Sequence, residues 1–146
     1  MKKILRQRKR ILTLLLTGIL ILGLCSPVCL QAATDNGEEY KAFWFSFYDY
    51  EDYLSRYKTP SATTFKSYFK KVVKKGKSLG MNRIIVQVRP FSDAMYKSKY
   101  FPWSKYISGK QGRSPGFDPL AIMVSTAHKQ NMKIEAWINP YRVTTG

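Results

Sequence analysis

Arginine, aspartate and aromatic residues stand together in VQVRPFSDAMYKSKYFPWS, residues 86–104, as Arg89, Asp93, Tyr96 and Trp103. A guanidinium can hold a carboxylate or a hydroxyl, and a carboxyl group can carry a proton to or from a reacting oxygen. Aromatic faces can pack on the C–H faces of sugar rings. A second set of the same kind stands near the end of the sequence, Asn139, Tyr141 and Arg142 in NPYR. Gln87 and Glu135 add an amide and a second carboxylate just upstream of each set. Such residues could bind a polyhydroxylated ligand, with Asp93 and Glu135 as the candidate catalytic groups. Each also has a plain structural role open to it. Arg89 can pair with Glu135 or another acid, Asp93 can pin Arg89 or cap a turn, and the aromatics can form the loop's own core.

The elements that must position these residues follow from spacing. YKAFWFSFYDY, 40–50, is aromatic-rich and reads as a strand at least through Phe47. Phe43, Phe45 and Phe47 then share one face, and Trp44 and Ser46 the other. EDYLSRYK reads as a loop. From about Ser61 to Leu79, Phe65, Phe69, Val72, Val73 and Gly76 recur at helical intervals. The lysines at 66, 70, 71, 74, 75 and 77 lie mostly outside that stripe, which describes an amphipathic helix stopped at Gly80. RIIVQVR, 83–89, alternates as a strand, with Ile84, Val86 and Val88 opposite Ile85, Gln87 and Arg89. A long irregular segment runs from Pro90 to Phe117. Asp118 and Pro119 then suit the cap and first residue of a helix, PLAIMVSTAHKQ, ended by Asn131. His128 falls in its last turn, where packing and a favourable helix-end charge account for it. KIEAWIN, 133–139, is a third strand, with Glu135, Trp137 and Asn139 on one face.

Strand, helix, strand, helix, strand implies parallel strands joined by helical crossovers. No glycine-rich fingerprint follows the first strand, which argues against a dinucleotide-binding sheet. The expected fold class is α/β, a (β/α)8 barrel of which this chain holds about the first three strands and two helices. In a barrel Ile84, Val86 and Val88 meet helices, while Gln87, Arg89, Glu135, Trp137 and Asn139 point inward. The irregular segment then lies at the mouth, where barrel ligands bind. A barrel takes typically about 250 residues, so residues 40–146 are expected to be the N-terminal part of one, preceded by a linker at 34–39.

Residues 1–33 have a separate logic. MKKILRQRKR carries six basic residues, fourteen uncharged residues follow, and LQAA ends the stretch. That is the pattern of a secretory signal peptide, with cleavage expected near Ala32 or Ala33. The apolar run is too short for a typical membrane span. Cys25 and Cys29 are the two cysteines, and both lie within residues 1–33. The mature chain would have no thiol chemistry and no disulfide. It would keep nineteen basic and nine acidic residues, a net charge of about +10. Such a charge suits electrostatic contact with anionic wall polymers. No nucleic-acid motif, metal-ligand cluster or cofactor fingerprint is present, so nucleic acid, metal and cofactor are not expected.

The residues that carry a family likeness are QVRPFSDAMYKSKYFPWSKYISGKQGRSPGFDPL and AHKQNMKIEAWINPYRV, with FWFS at 43–46. They resemble the glycosyl-hydrolase-like family 10, which consists of exported or lipid-anchored bacterial proteins. The likeness covers about residues 40–143. The family pattern has His in many relatives where Glu135 stands. The resemblance implies a (β/α)8 barrel and a hydrolase that cleaves glycosidic bonds, with peptidoglycan glycan strands as the best-supported polysaccharide. It implies a secreted or cell-surface location. A non-catalytic glycan-binding surface protein on the same scaffold is the alternative expectation.

Overall fold

The computed structural model describes residues 37–144. The expected signal peptide and the first three residues of the linker lie outside the described residues.

Three strands form one sheet, β1 (Ala42–Phe45), β2 (Arg83–Arg89) and β3 (Lys133–Ile138), all parallel, with β2 in the centre. Four helices accompany them: α1 (Phe47–Arg56), α2 (Ala62–Ser78), α3 (Lys105–Ser108) and α4 (Pro119–His128). The architecture is α/β, and three parallel strands with helical crossovers are compatible with part of a barrel.

The helix α1 corrects the sequence reading, which had strand through Phe47 and loop from Glu51. Ser46 has extended backbone and turns the chain. Its amide and its hydroxyl both donate to Asp49 Oδ2, at 2.7 and 3.1 Å. The Asp49 carboxylate thus caps the helix start, and the Asp49 amide donates back to Ser46 O at 3.0 Å. Phe47, Tyr50 and Tyr53 are then three residues apart on one face, and all are buried. The aromatic content that suggested a strand serves a helix stripe here. The short α3 was likewise not expected within the irregular segment.

The other elements follow their spacing closely. Ser61 caps α2, with its hydroxyl accepting from the Thr64 amide at 3.2 Å. Phe65, Phe69, Val73 and Gly76 are its buried face. The Phe43 ring lies so close to Gly76 that a Cβ there would meet it at 2.2 Å. Gly80 takes φ +79°, ending the helix as only glycine does readily. Asp118 Oδ1 accepts from the Ala121 amide at 3.1 Å and caps α4.

The core lies between the sheet and the helices. Ile84, Val86 and Val88 are buried there with Phe45, Phe69 and Met123. Phe45 meets Tyr50 and Phe69 edge-on, at centroid distances of 4.8 and 5.2 Å, the preferred geometry for aromatic pairs. The matching positions on β3 are less covered. Ile134 is partly buried, but Ala136 is exposed and Ile138 is 48% exposed.

Candidate active site at the strand ends

The opposite face of the sheet carries the polar residues. Register places Trp44, Ile85 and Glu135 at one level and Gln87 beside Trp137 at the next. The ladder then slips, so that Arg89 pairs with Ile138 and Val88 is the extra residue. A register shift of this kind locally bends a strand.

Glu135 does not pair with Arg89, one of the roles the sequence left open. Its Oε1 lies 3.2 Å from Arg83 Nη1, and its Oε2 accepts from the Tyr40 hydroxyl at 2.7 Å. Arg83 also sits 4.7 Å from the Tyr40 ring centroid. Register explains the choice. Glu135 stands opposite Ile85, four residues before the end of β2, which is about 13 Å along the strand. Arg83 is one pleat away from that level on the same face.

Among the described residues Arg89 has no carboxylate partner. Its guanidinium lies 3.5 Å from the Phe101 ring centroid, and its Nε is buried with no hydrogen-bond partner. Gln87 is fully buried; its Oε1 accepts from the Phe47 amide at 3.1 Å, and its Nε2 is unpartnered. Asp93 is 3% exposed, with Oδ1 unpartnered. Buried polar atoms are normally satisfied, and these three fall on the last strand residues and the loop that follows.

Backbone hydrogen bonds anchor the loop. The Met95 amide donates to Val88 O, and Ala94 pairs with the 102–104 segment through Ala94 N to Pro102 O and Ser104 N to Ala94 O, each 2.9 Å. Tyr96 and Trp103 are partly buried against the main core. Burial raises the Asp93 carboxyl above its usual range; the Ser104 hydroxyl, the Phe91 amide and Lys105 pull it partly back. Asp93 lines a cavity of about 190 Å³ with Phe91, Lys105, Tyr106 and Gln111, and with Val143 and Thr144 from beyond β3. Lys105 and Gln111 had no signal in the sequence, because neither stands at a recognisable spacing from Asp93.

The end of β3 meets the same place. The Asn139 amide donates to Arg89 O at 2.9 Å, and its Nδ2 donates to Pro90 O at 3.2 Å. Its Oδ1 accepts from Trp137 Nε1 at 2.8 Å. Asn139 thus ties the two strand ends together. Arg142 lies over Phe91 and Phe47, at 5.1 and 5.8 Å from their centroids. Tyr141 is 94% exposed. A larger cavity of about 480 Å³ lies beside β1 between α1 and α2, and it includes none of these residues. Among the described residues no group of His, Cys, Asp and Glu is placed to hold a metal ion.

A parallel sheet with the buried, unpartnered atoms of Gln87, Arg89 and Asp93 at and just beyond the C-terminal end of its central strand is an α/β arrangement of the kind in which ligands bind at strand ends. The chain belongs to the glycosyl hydrolase-like 10 family, which it matches over residues 39–145. It is 38% identical over 135 residues to the glycosyl hydrolase YngK of Bacillus subtilis, covering 92% of this chain and 26% of that protein. It is 50% identical over 66 residues to the glycosyl hydrolase DigH of Escherichia coli K12, covering 45% of this chain and 15% of that protein. The chain thus spans about a quarter of the length of YngK.

Proposed function

We propose that this protein is an exported glycoside hydrolase acting on a cell-wall polysaccharide, with peptidoglycan glycan strands as its substrate class. In this reading the three strands begin a (β/α)8 barrel. Family membership and two relatives named glycosyl hydrolases support the hydrolase class. The basic and apolar residues 1–33 support export through a signal peptide.

One observation carries the site: Asp93 is a buried carboxyl group with a raised pKa, lining a cavity at the end of β2. A carboxyl group held protonated nearer neutral pH can donate to the leaving glycosidic oxygen. Arg89, stacked on Phe101 and with no carboxylate partner among the described residues, supplies donors for a sugar hydroxyl. Tyr141 and the partly buried Tyr96 and Trp103 provide ring faces. Hydrolysis needs a second carboxylate roughly 5–9.5 Å from the first. Glu135, about 13 Å back along the sheet by strand rise and held by Arg83 and Tyr40, is poorly placed for it. In this reading the second group stands on a later strand of the barrel. The engagement of Glu135 also favours the second reading, a glycan-binding protein without catalysis.

The test is digestion of peptidoglycan glycan strands, freed of stem peptides, by the full-length gene product. Release of new reducing ends by the wild type and at least a tenfold slower release by Asp93→Asn supports hydrolysis. Binding without any release supports the non-catalytic reading. Neither binding nor release overturns both.

A further inference from the structure

Helix α2 carries six lysines at 66, 70, 71, 74, 75 and 77 and no acidic residue in its seventeen. All six are exposed. Three lysine pairs stand four residues apart and two more stand three apart, and like charges at these spacings destabilise a helix. An ordinary solvated face relieves this with interspersed acids. Here the neighbouring element adds positive charge instead. Helix α4 packs against α2 and is followed by exposed Lys129, and Lys77 Nζ donates to Gln130 O.

The lysines fall into two rows. Lys71 and Lys75 line the large cavity, where Asp49 and Asp52 lie within the same walls. Lys66, Lys70, Lys74 and Lys77 form the other row, about 17 Å long from the helix rise. No hydrogen bond or ion pair engages Lys66, Lys70 or Lys74 among the described residues. The row lies on the helix side of the sheet and leaves the strand-end site clear.

We propose that this row docks a linear polyanion, a phosphodiester polymer of the cell wall. This rests on the export reading but not on glycan cleavage. The residues of the row are compact, strongly hydrated point charges, repeated along a line, which suits a flexible chain of regularly spaced phosphates. The row contains no arginine or aromatic on which bases could stack. No aromatic or aliphatic residue is interleaved with it that could enter a lipid surface.

The test measures binding of the purified protein to poly(glycerol phosphate) across a salt series. Lys66→Gln, Lys70→Gln and Lys74→Gln together should weaken binding at least about tenfold and flatten its salt dependence. The same number of changes at exposed Lys58, Lys99 and Lys110 should weaken it less than about threefold, which separates a site from net charge. The α2 triple variant should melt no lower than wild type and should handle soluble glycan fragments as wild type does. Equal losses in the two triple variants would overturn the proposal, as would no binding at all. Tighter binding to phosphatidylglycerol vesicles or to single-stranded DNA would also overturn it, assigning the row to a membrane or a nucleic acid. None of these outcomes depends on whether the strand-end site hydrolyses its ligand.

Discussion

Asp93, in the loop after β2, and Glu135, on β3, are two carboxylates with opposite surroundings. Asp93 is buried with an unpartnered oxygen, and its pKa is raised chiefly by desolvation. A carboxyl group whose folded pKa is raised holds fewer charges in the native state than in the unfolded one. Stability from this group is complete below the ordinary carboxylate pKa and falls as pH rises through the raised value. Asp93→Asn removes that loss. It should therefore melt higher than wild type at neutral pH, with the gap closing in acid, while glycan cleavage collapses. A variant that melts lower at every pH would show Asp93 to be a structural hub. Glu135 has the reverse character, since it holds the buried Arg83 and the Tyr40 hydroxyl. Glu135→Ala should cost about 1–2 kcal/mol, the low end for a charged partner because Glu135 is 39% exposed. Denaturant unfolding checks this; no change would mean the pair is solvent-screened.

At the scale of elements, close packing of α2 on β1 rests on Gly76. Alanine normally stabilises a helix interior by about 1 kcal/mol over glycine. At Gly76 its Cβ would meet the Phe43 ring at 2.2 Å, so Gly76→Ala should destabilise, by about 1–3 kcal/mol. A rise in melting temperature would contradict this packing. Periodicity made α2, β2 and α4 legible, because each has one apolar face and a capping or stopping residue at its end. Helix α1 was not legible by aromatic content, since Phe47, Tyr50 and Tyr53 have strand propensity as residues and helical spacing only as a set. The Ser46–Asp49 cap was the available signal. The partner of Glu135 was not legible either. Inward direction follows from alternation, but which arginine lies level with a glutamate depends on register between strands far apart in sequence.

Across the described residues, the sheet has one side packed under helices and the other carrying Trp44, Gln87, Glu135 and Trp137. Trp44 is 69% exposed and lies 6.2 Å from Trp137 between ring centroids. The loops after β2 and β3 converge beyond the strand ends, joined by Asn139, and bring Arg89, Asp93 and Arg142 to one end of the sheet. The central claim is that this end binds glycan. Its most direct measurement is glycan affinity of the full-length gene product carrying Arg89→Ala, alongside its melting temperature. Losing a charge-assisted hydrogen bond costs roughly 1.5–3 kcal/mol, so affinity should fall roughly 10- to 150-fold while the melting temperature holds. Wild-type affinity in a protein that merely melts earlier would contradict the claim and make Arg89 a packing residue.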